Sequence, residues 1–403
     1  MRDIWLVAVG AGFFQLPGIR TAREAGMKVL AIDGNPNAPG LKIADCAAVA
    51  DIRSPEHVIR AVADSGIFPS GAIAFVTEAG MESAGAIRDK FCLPGPSREL
   101  SVRLTSKHVQ RHVWTSAGLP CPEWVEANSE ALAELAVKNL GGVLIFKPVD
   151  SAGGRSVSVV DVETTDWRGA YRNALAASRK GIVLIERYFV GTEYTIDTFA
   201  DNGITKVLVV SEKQKVPGTD NVVSSGLSAP SVDETEVDAI GKLAVRALAA
   251  LGHTDGPGHT EILRSENGSL CIVEAAGRAG GFMIADGLVP RVSNFNLARA
   301  TGRQAVGLSP DEEALPPVPF VLRWLRSFSD REGVVASITG QQSFNTRYGV
   351  QCEPFVATGD KIDSYGIDKP RLGYILAVDR ELSLARQYAD LAEKSFRVQV
   401  REL

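Results

Sequence analysis

Paired cysteines are what this chain most clearly lacks. Its five, at positions 46, 92, 121, 271 and 352, are scattered, odd in number and never form a C-x-x-C pair. That spacing excludes a disulfide framework and a zinc site of the usual kind. An apolar run of membrane-spanning length is missing too, and so is a signal-peptide cleavage pattern: MRDIWLVAVGAG turns straight into strand and glycine. Positive charge is in deficit, with 43 Lys and Arg against 48 Asp and Glu and a net charge of −5. Neither nucleic acid nor an anionic membrane is therefore expected as the main partner. Repeats and low-complexity tracts are absent. What remains is an ordinary globular composition, 45% hydrophobic and 23% charged, spread over 403 residues. A soluble cytoplasmic protein of two or three domains is expected.

The first hundred residues alternate strand and helix patterns. Residues 4–9 read as a buried parallel strand, followed by Gly10-Ala11-Gly12, a helix to about residue 25, and a second strand at 28–32 closing at Asp33. Strands at 47–50 and 72–76 and helices at 55–64 and 81–90 complete a doubly wound α/β pattern. Gly10-Ala11-Gly12 begins a dinucleotide fingerprint but lacks its third glycine, since Gln15 stands there. A tight turn, or strand-to-helix packing, is the competing reading and the favoured one.

Further on, 101–118 reads as one helix carrying Lys107. A helix at 129–140 and a strand at 143–147 follow. FKPVDSAGGRSVSVV then presents Lys147 at a strand end, before a loop of Ser151, Gly153, Gly154 and Ser156 whose backbone N–H groups suit phosphate oxygens. No GK[ST] follows, so this is not a P-loop. A helix at 166–179 leads to a strand at 182–186 that ends on Glu186, and after a turn at Gly191 the next strand begins at Glu193. Residues 211–231 read as a long loop, and 233–251, 284–289 and 294–300 as helices. Beyond an acidic, proline-rich stretch at 309–320, the chain reads as small β-rich structure.

The most informative stretch is GHTEILRSENGSLCIVEAAGRAGG, residues 258–281. Asn267-Gly268 between two apolar runs signals a two-residue hairpin turn. Opposed residues then sum to 535, which sets Glu261 opposite Glu274. Like charges facing each other destabilise a hairpin, unless a cation lies between them. Oxygen-only ligation by two carboxylates, completed by nucleotide phosphates, suits Mg²⁺. Arg278 follows, a planar fork suited to phosphate or carboxylate. His259 shares the face of Glu261 by two-residue alternation; it either orients phosphate or is a hydrogen-bonded structural histidine. Glu78, beyond the strand at 72–76, either holds a substrate ammonium or caps a helix. Ser225, Gly226 and Met283 are candidates for the acceptor pocket.

The ordered set Lys107, Lys147, Gly/Ser loop, Glu186, Glu193, Glu261, Glu274, Arg278 resembles the ATP-grasp superfamily over nearly the whole chain. The resemblance implies an α/β fold, α+β in the ATP-binding part: an N-terminal Rossmann-like domain (1–100), an ATP-grasp domain (101–308) with a mobile lid at about 112–183, and a C-terminal α+β domain (309–403). It implies that Lys107, Lys147 and the loop from Ser151 to Ser156 hold phosphates. Glu186, Arg187 and Phe189, in IERYF, would lie at the adenine, and Glu193 at the ribose. Glu261 and Glu274 would hold Mg²⁺ or Mn²⁺, and Arg278 would neutralise an acyl-phosphate. Many members read E-x-N-x-R at the second glutamate. This chain has Glu274-Ala275-Ala276-Gly277-Arg278, so Ala276 cannot ligate, and the run is similar to that of the L-amino acid ligase branch.

The implied activity is ATP-dependent carboxylate–amine ligation through an acyl-phosphate, with amino acids as the small-molecule partners and a homodimer as the assembly. A carboxylase or purine-biosynthesis-type ligase of the same superfamily is the alternative. A nicotinamide-dependent oxidoreductase and a non-catalytic nucleotide-binding module are the rivals.

Overall fold

The computed structural model describes residues 3–150, 156–218, 223–326, 332–340, 349–362 and 371–403. The chain divides into two compact units. The first comprises Met1–Trp124, Thr195–Val209 and Thr235–Leu315, and the second Val125–Tyr194, Val210–Glu234 and Pro316–Leu403.

In the first unit a parallel sheet runs in the order Cys46–Val49, Lys28–Asp33, Trp5–Val9, Gly71–Ile73. Leu6, Val7, Ala8 and Val9 are all fully buried, as a parallel strand covered on both faces requires. The helix Pro55–Asp64 starts where proline needs no N–H partner, and Ser54 Oγ caps it by accepting from His57 N at 3.3 Å. The helices Leu16–Glu24 and Leu297–Ala305 pack together beside the sheet. After Gly10-Ala11-Gly12 the chain makes a short 3-10 turn, Phe13–Gln15, before the first helix. Asp33 is committed to backbone: its carboxylate accepts from Ala11 N at 2.7 Å and Asn35 N at 2.8 Å. It ties the ends of two adjacent strands, the structural alternative to a ribose contact.

Three expectations change here. The single helix expected at 101–118 is two, Arg98–Arg103 and Lys107–Ser116. Thr105 Oγ1 donates back to Ser101 O (3.0 Å) and Val102 O (3.2 Å), closing the first helix. Lys107 thereby opens the second. The helix expected at 284–289 is a π-type turn, Ile284–Leu288, running into a short helix, Val289–Ser293. It is entered through Phe282 (φ 51°) and Met283 (φ 68°), both left-handed, where a non-glycine residue signals strain.

The third change lies in the second unit. Residues 211–215, expected in a loop, are the end of the strand Ile204–Lys215, and Glu212 to Lys215 pair with Ser224–Ser228. That sheet continues through Phe320–Arg326, Arg371–Val378 and Gln351–Pro354, antiparallel throughout. The helix Leu382–Ser395 packs on it through buried Ala385, Ala389 and Ala392. A smaller sheet is ordered Lys361–Ile362, Gly333–Thr339, Arg397–Glu402. A separate sheet runs Trp124–Ala127, Val183–Arg187, Val143–Pro148, Ser158–Asp161. With the helices Glu130–Leu140 and Arg168–Ala177 it encloses a core of Leu144, Phe146, Trp167, Tyr171 and Ile185. Among the described residues no helix is long and apolar enough to cross a membrane.

Replacing Asp33 by alanine strands the buried Ala11 N–H and releases the exposed Asn35 N–H to water. Asp33→Ala is expected to lower stability by about 1–3 kcal/mol in urea unfolding; unchanged stability would remove its structural role.

Candidate functional site

The hairpin of the first unit, Gly256–Arg264 with Leu270–Ala276, does not use the two-residue turn expected at Asn267-Gly268. Ser265 N donates to Ser269 O at 3.0 Å. The loop is thus the three residues Glu266, Asn267 and Gly268, with Gly268 in the left-handed region at φ +84°. Register therefore slips by one beside the turn: Arg264 faces Leu270, Leu263 faces Cys271 and Ile262 faces Ile272. A bulge between Glu261 and Ile262 then leaves Val273 as the extra residue, and beyond it Glu261 faces Glu274, as expected.

The helix Lys107–Ser116 holds this bulge. Arg111 Nη2 donates to the carbonyl of Val273 at 2.6 Å. Gln110 grips the next residue on both sides, its amide donating to Ala275 O (2.5 Å) and accepting from Ala275 N (3.2 Å). Both side chains are buried. One turn earlier, Lys107 Nζ lies 2.7 Å from Glu274 Oε2. The run after Glu274 must stay small: a Cβ on Gly277 would lie 2.5 Å from Leu104 Cδ1, and Ala275 and Ala276 are themselves buried.

Around this hairpin three carboxylates meet two cations. Arg278 pairs with Glu78 and donates to Ala279 O at 3.0 Å. Glu78 gives no side-chain cap to the helix Met81–Phe91, whose N-cap is Gly80. Glu78, Lys107, Gln110 and Glu274 line one small cleft. Burial works against the charge on Lys107, yet Glu274, Glu78 and Glu261 outweigh it and hold its pKa above the ordinary lysine value. Burial likewise opposes charge on Arg278, and Glu78, followed by Glu274 and Glu261, raises its pKa. Nearby, His259 Nδ1 hydrogen-bonds to Oδ1 of the fully buried Asp197 at 2.9 Å. Met283 is half-buried, and the Phe282 ring beside it lies 4.9 Å, edge-on, from Phe14, which follows the glycine turn.

The second unit carries the rest of the candidate set. Lys147 Nζ and Glu186 Oε2 form a buried ion pair at 2.5 Å, on adjacent strands. Arg187 ends the same strand, exposed, and Phe189 follows it, half-buried. Glu193 is gripped by Lys213 and Lys215 together. Burial pushes its carboxyl up, but the two ammonium groups win and bring it down to about 2. Ser225 is half-buried in its strand, and Gly226 is buried between Gln214 and Arg323 on the flanking strands. Ser156 is exposed with φ 57°; Ser151, Gly153 and Gly154 lie outside the described residues.

Several of these residues had escaped the sequence reading. Gln110 stands at i+3 from Lys107 on one helical face. Lys213 and Lys215 alternate onto one face of a strand. Asp197 is a charged residue in an otherwise buried strand. Arg111 carried no signal of its own.

Residues 142–286 match the model of the ATP-grasp domain. This chain has the ATP-grasp fold. The L-amino acid ligase of Bacillus licheniformis superposes with a TM-score of 0.84 at 20% identity, covering 100% of this chain and 99% of that one. The L-arginine-specific L-amino acid ligase of Bacillus subtilis is 24% identical over 341 residues, 81% of each chain. The formate-dependent phosphoribosylglycinamide formyltransferase of Burkholderia pseudomallei is 31% identical over 198 residues, 47% of each. The chain thus spans about half the length of the formyltransferases it matches.

Two outcomes test this geometry. Gln110→Leu leaves Ala275 with a buried N–H and C=O, and is expected to lower stability by roughly 1–3 kcal/mol per stranded group in chemical denaturation; a neutral result would show that the bulge holds without it. Because the folded pKa of Glu193 is depressed, its stabilising contribution is complete above the unfolded value and fades as pH falls from about 4.5 towards 2. Acid unfolding of the wild type should show this loss, and a Lys213→Met/Lys215→Met variant should not.

Proposed function

We propose that this chain is an ATP-dependent carboxylate–amine ligase that joins amino acids. The observation that carries the reading is Glu261 facing Glu274 across the bulged hairpin, with Lys107 on Glu274 and Arg278 within their field.

The donor set fits Mg²⁺. The two opposed acids are hard oxygen donors, and with Glu78 they leave the cluster net negative against Lys107 and Arg278. Among the described residues no three His, Cys, Asp or Glu side chains are grouped closely enough to hold a metal alone. The remaining ligands would come from phosphate oxygens and water, the usual arrangement for this ion. When bound, the ion would spread the charge of the triphosphate. Lys107 and Arg278 add fixed positive charge beside it, and such electrostatic positioning supplies most of the catalysis in phosphoryl transfer. Glu186, Phe189 and Glu193 are assigned to the nucleoside, and Lys147 and the loop 151–156 to its phosphates.

The reaction proceeds in two steps. A carboxylate oxygen attacks the γ-phosphorus of ATP and the bond to the β-phosphate oxygen breaks, releasing ADP. The amine nitrogen then attacks the acyl carbon, phosphate leaves, and the nitrogen loses a proton to give the amide. The likeness to the two L-amino acid ligases, over 81% and 100% of the chain, favours amino acids on both sides. The partial likeness to the formyltransferase keeps formate and an amino sugar phosphate in the screen.

Purified protein with ATP, Mg²⁺ and pairs of amino acids should release phosphate, with the dipeptide identified by mass spectrometry. Glu274→Gln should abolish ADP formation while its circular dichroism matches the wild type. Wild-type turnover in that variant would defeat the metal assignment, and a requirement for NAD(P) would defeat the ligase reading.

A further inference from the structure

The first unit contains a cavity of about 280 Å³. It is just smaller than the pockets of about 300–1,000 Å³ that take drug-sized ligands, a volume of amino-acid scale. One wall is apolar, formed by the residues from Ala72 to Val76 at the end of a sheet strand together with Met81. Ligands of open α/β sheets bind beyond the carboxyl ends of strands. Arg278 lines the same cavity, so it adjoins the charged cluster.

Four charged residues line it, and three are already engaged. Arg88 donates to Ala72 O (2.7 Å) and Pro96 O (2.6 Å). Arg278 is held by Glu78. Asp255 accepts from Asn202 N (3.0 Å) and Gln304 Nε2 (3.3 Å). Among the described residues, Asp286 has neither a hydrogen bond nor an ion pair for its carboxyl. It sits on the π-type turn Ile284–Leu288, an element often found at functional sites, just after the strained pair Phe282 and Met283.

We propose that this cavity receives the side chain of an amino-acid substrate ending in a cation, a guanidinium or ammonium group, with Asp286 as its counter-ion. That the ligand is a substrate rests on the ligase reading; the binding chemistry does not. A half-buried carboxyl with no partner among the described residues has two remedies, a proton or an opposite charge. Burial alone pushes Asp286 up to about 7. A neutral or anionic side chain leaves that penalty in place or worsens it. A cation removes it, and the apolar wall accommodates the methylenes that carry the cation.

Calorimetry on the full chain, with Mg²⁺ and a non-hydrolysable ATP analogue, decides this. The probes are L-arginine against L-citrulline and L-lysine against L-norleucine, each in two buffers of different ionisation enthalpy. At least one cation should bind at least tenfold more tightly than its neutral counterpart. Its binding should release about half a proton at pH 7, since the ion pair draws the Asp286 pKa down. Asp286→Asn should abolish the proton release and bring the paired ligands within about twofold. This variant should fold, because it replaces a partnerless carboxylate; its melting temperature at pH 8 should equal or exceed that of the wild type.

Equal affinities in the wild type, no binding of either cation, or a preference that survives in Asp286→Asn would each overturn the proposal. Amide formation from neutral amino acids with no Asp286-dependent preference would sink this inference and leave the ligase reading standing. Asp286-dependent cation binding without ATP consumption for any acid and amine would do the reverse.

Discussion

Two carboxylates on neighbouring strands, facing each other, are an arrangement a folding chain avoids unless something else pins it. Here the pin is a helix. Lys107 neutralises one carboxylate, Gln110 clamps both backbone groups of the following residue, and Arg111 takes the carbonyl of the bulged Val273. These three residues span little more than one helical turn, so a single rigid element fixes charge, register and bulge together. The facing of Glu261 and Glu274 is thereby fixed by the fold itself.

That constraint explains why Lys107 opens a helix rather than lying within one. A continuous helix over 101–118 would carry the lysine in mid-helix. The Thr105 side chain instead ends the preceding helix by bonding back to Ser101 and Val102. The new helix then starts at Lys107, and its first turn lies against the strand that ends in Glu274 and the two alanines. The small residues there follow from the same contact. The strand is pressed between Gln110 on one side and Leu104 beyond, and at Gly277 even a methyl group would collide.

Much of the fold was legible in the sequence because hydrophobic periodicity is local. The parallel sheet and the helix Pro55–Asp64 emerge from apolar spacing and capping alone. The strand through Lys215 was hidden because its last five residues, S-E-K-Q-K, are all polar and show no apolar alternation; there Glu193 binds both lysines. The hairpin is the instructive case. Asn-Gly pointed to a two-residue turn, but Asn267 turns its side chain onto Ser265 and Ser269 and the loop takes three residues. The glutamates still meet because the bulge at Val273 restores the lost residue. Bulges depend on what grips them, and Arg111 comes from 162 positions earlier in the chain. No local pattern reports such a partner.

Charge satisfaction, more than shape, separates function from architecture in this molecule. Asp33 is fully spent on strand ends, Asp255 on a turn and a glutamine, Asp197 on His259, and Arg88 on backbone carbonyls. Each is an ionisable group with hydrogen-bond partners inside the fold. The cluster at Glu78, Glu261 and Glu274 differs because its acids exceed its bases. Asp286 differs because it has no base at all. At Asp286 a bare carboxyl stands beside an apolar wall, where an asparagine or leucine would pack at lower electrostatic cost. There the compensating charge is what a cationic ligand would bring.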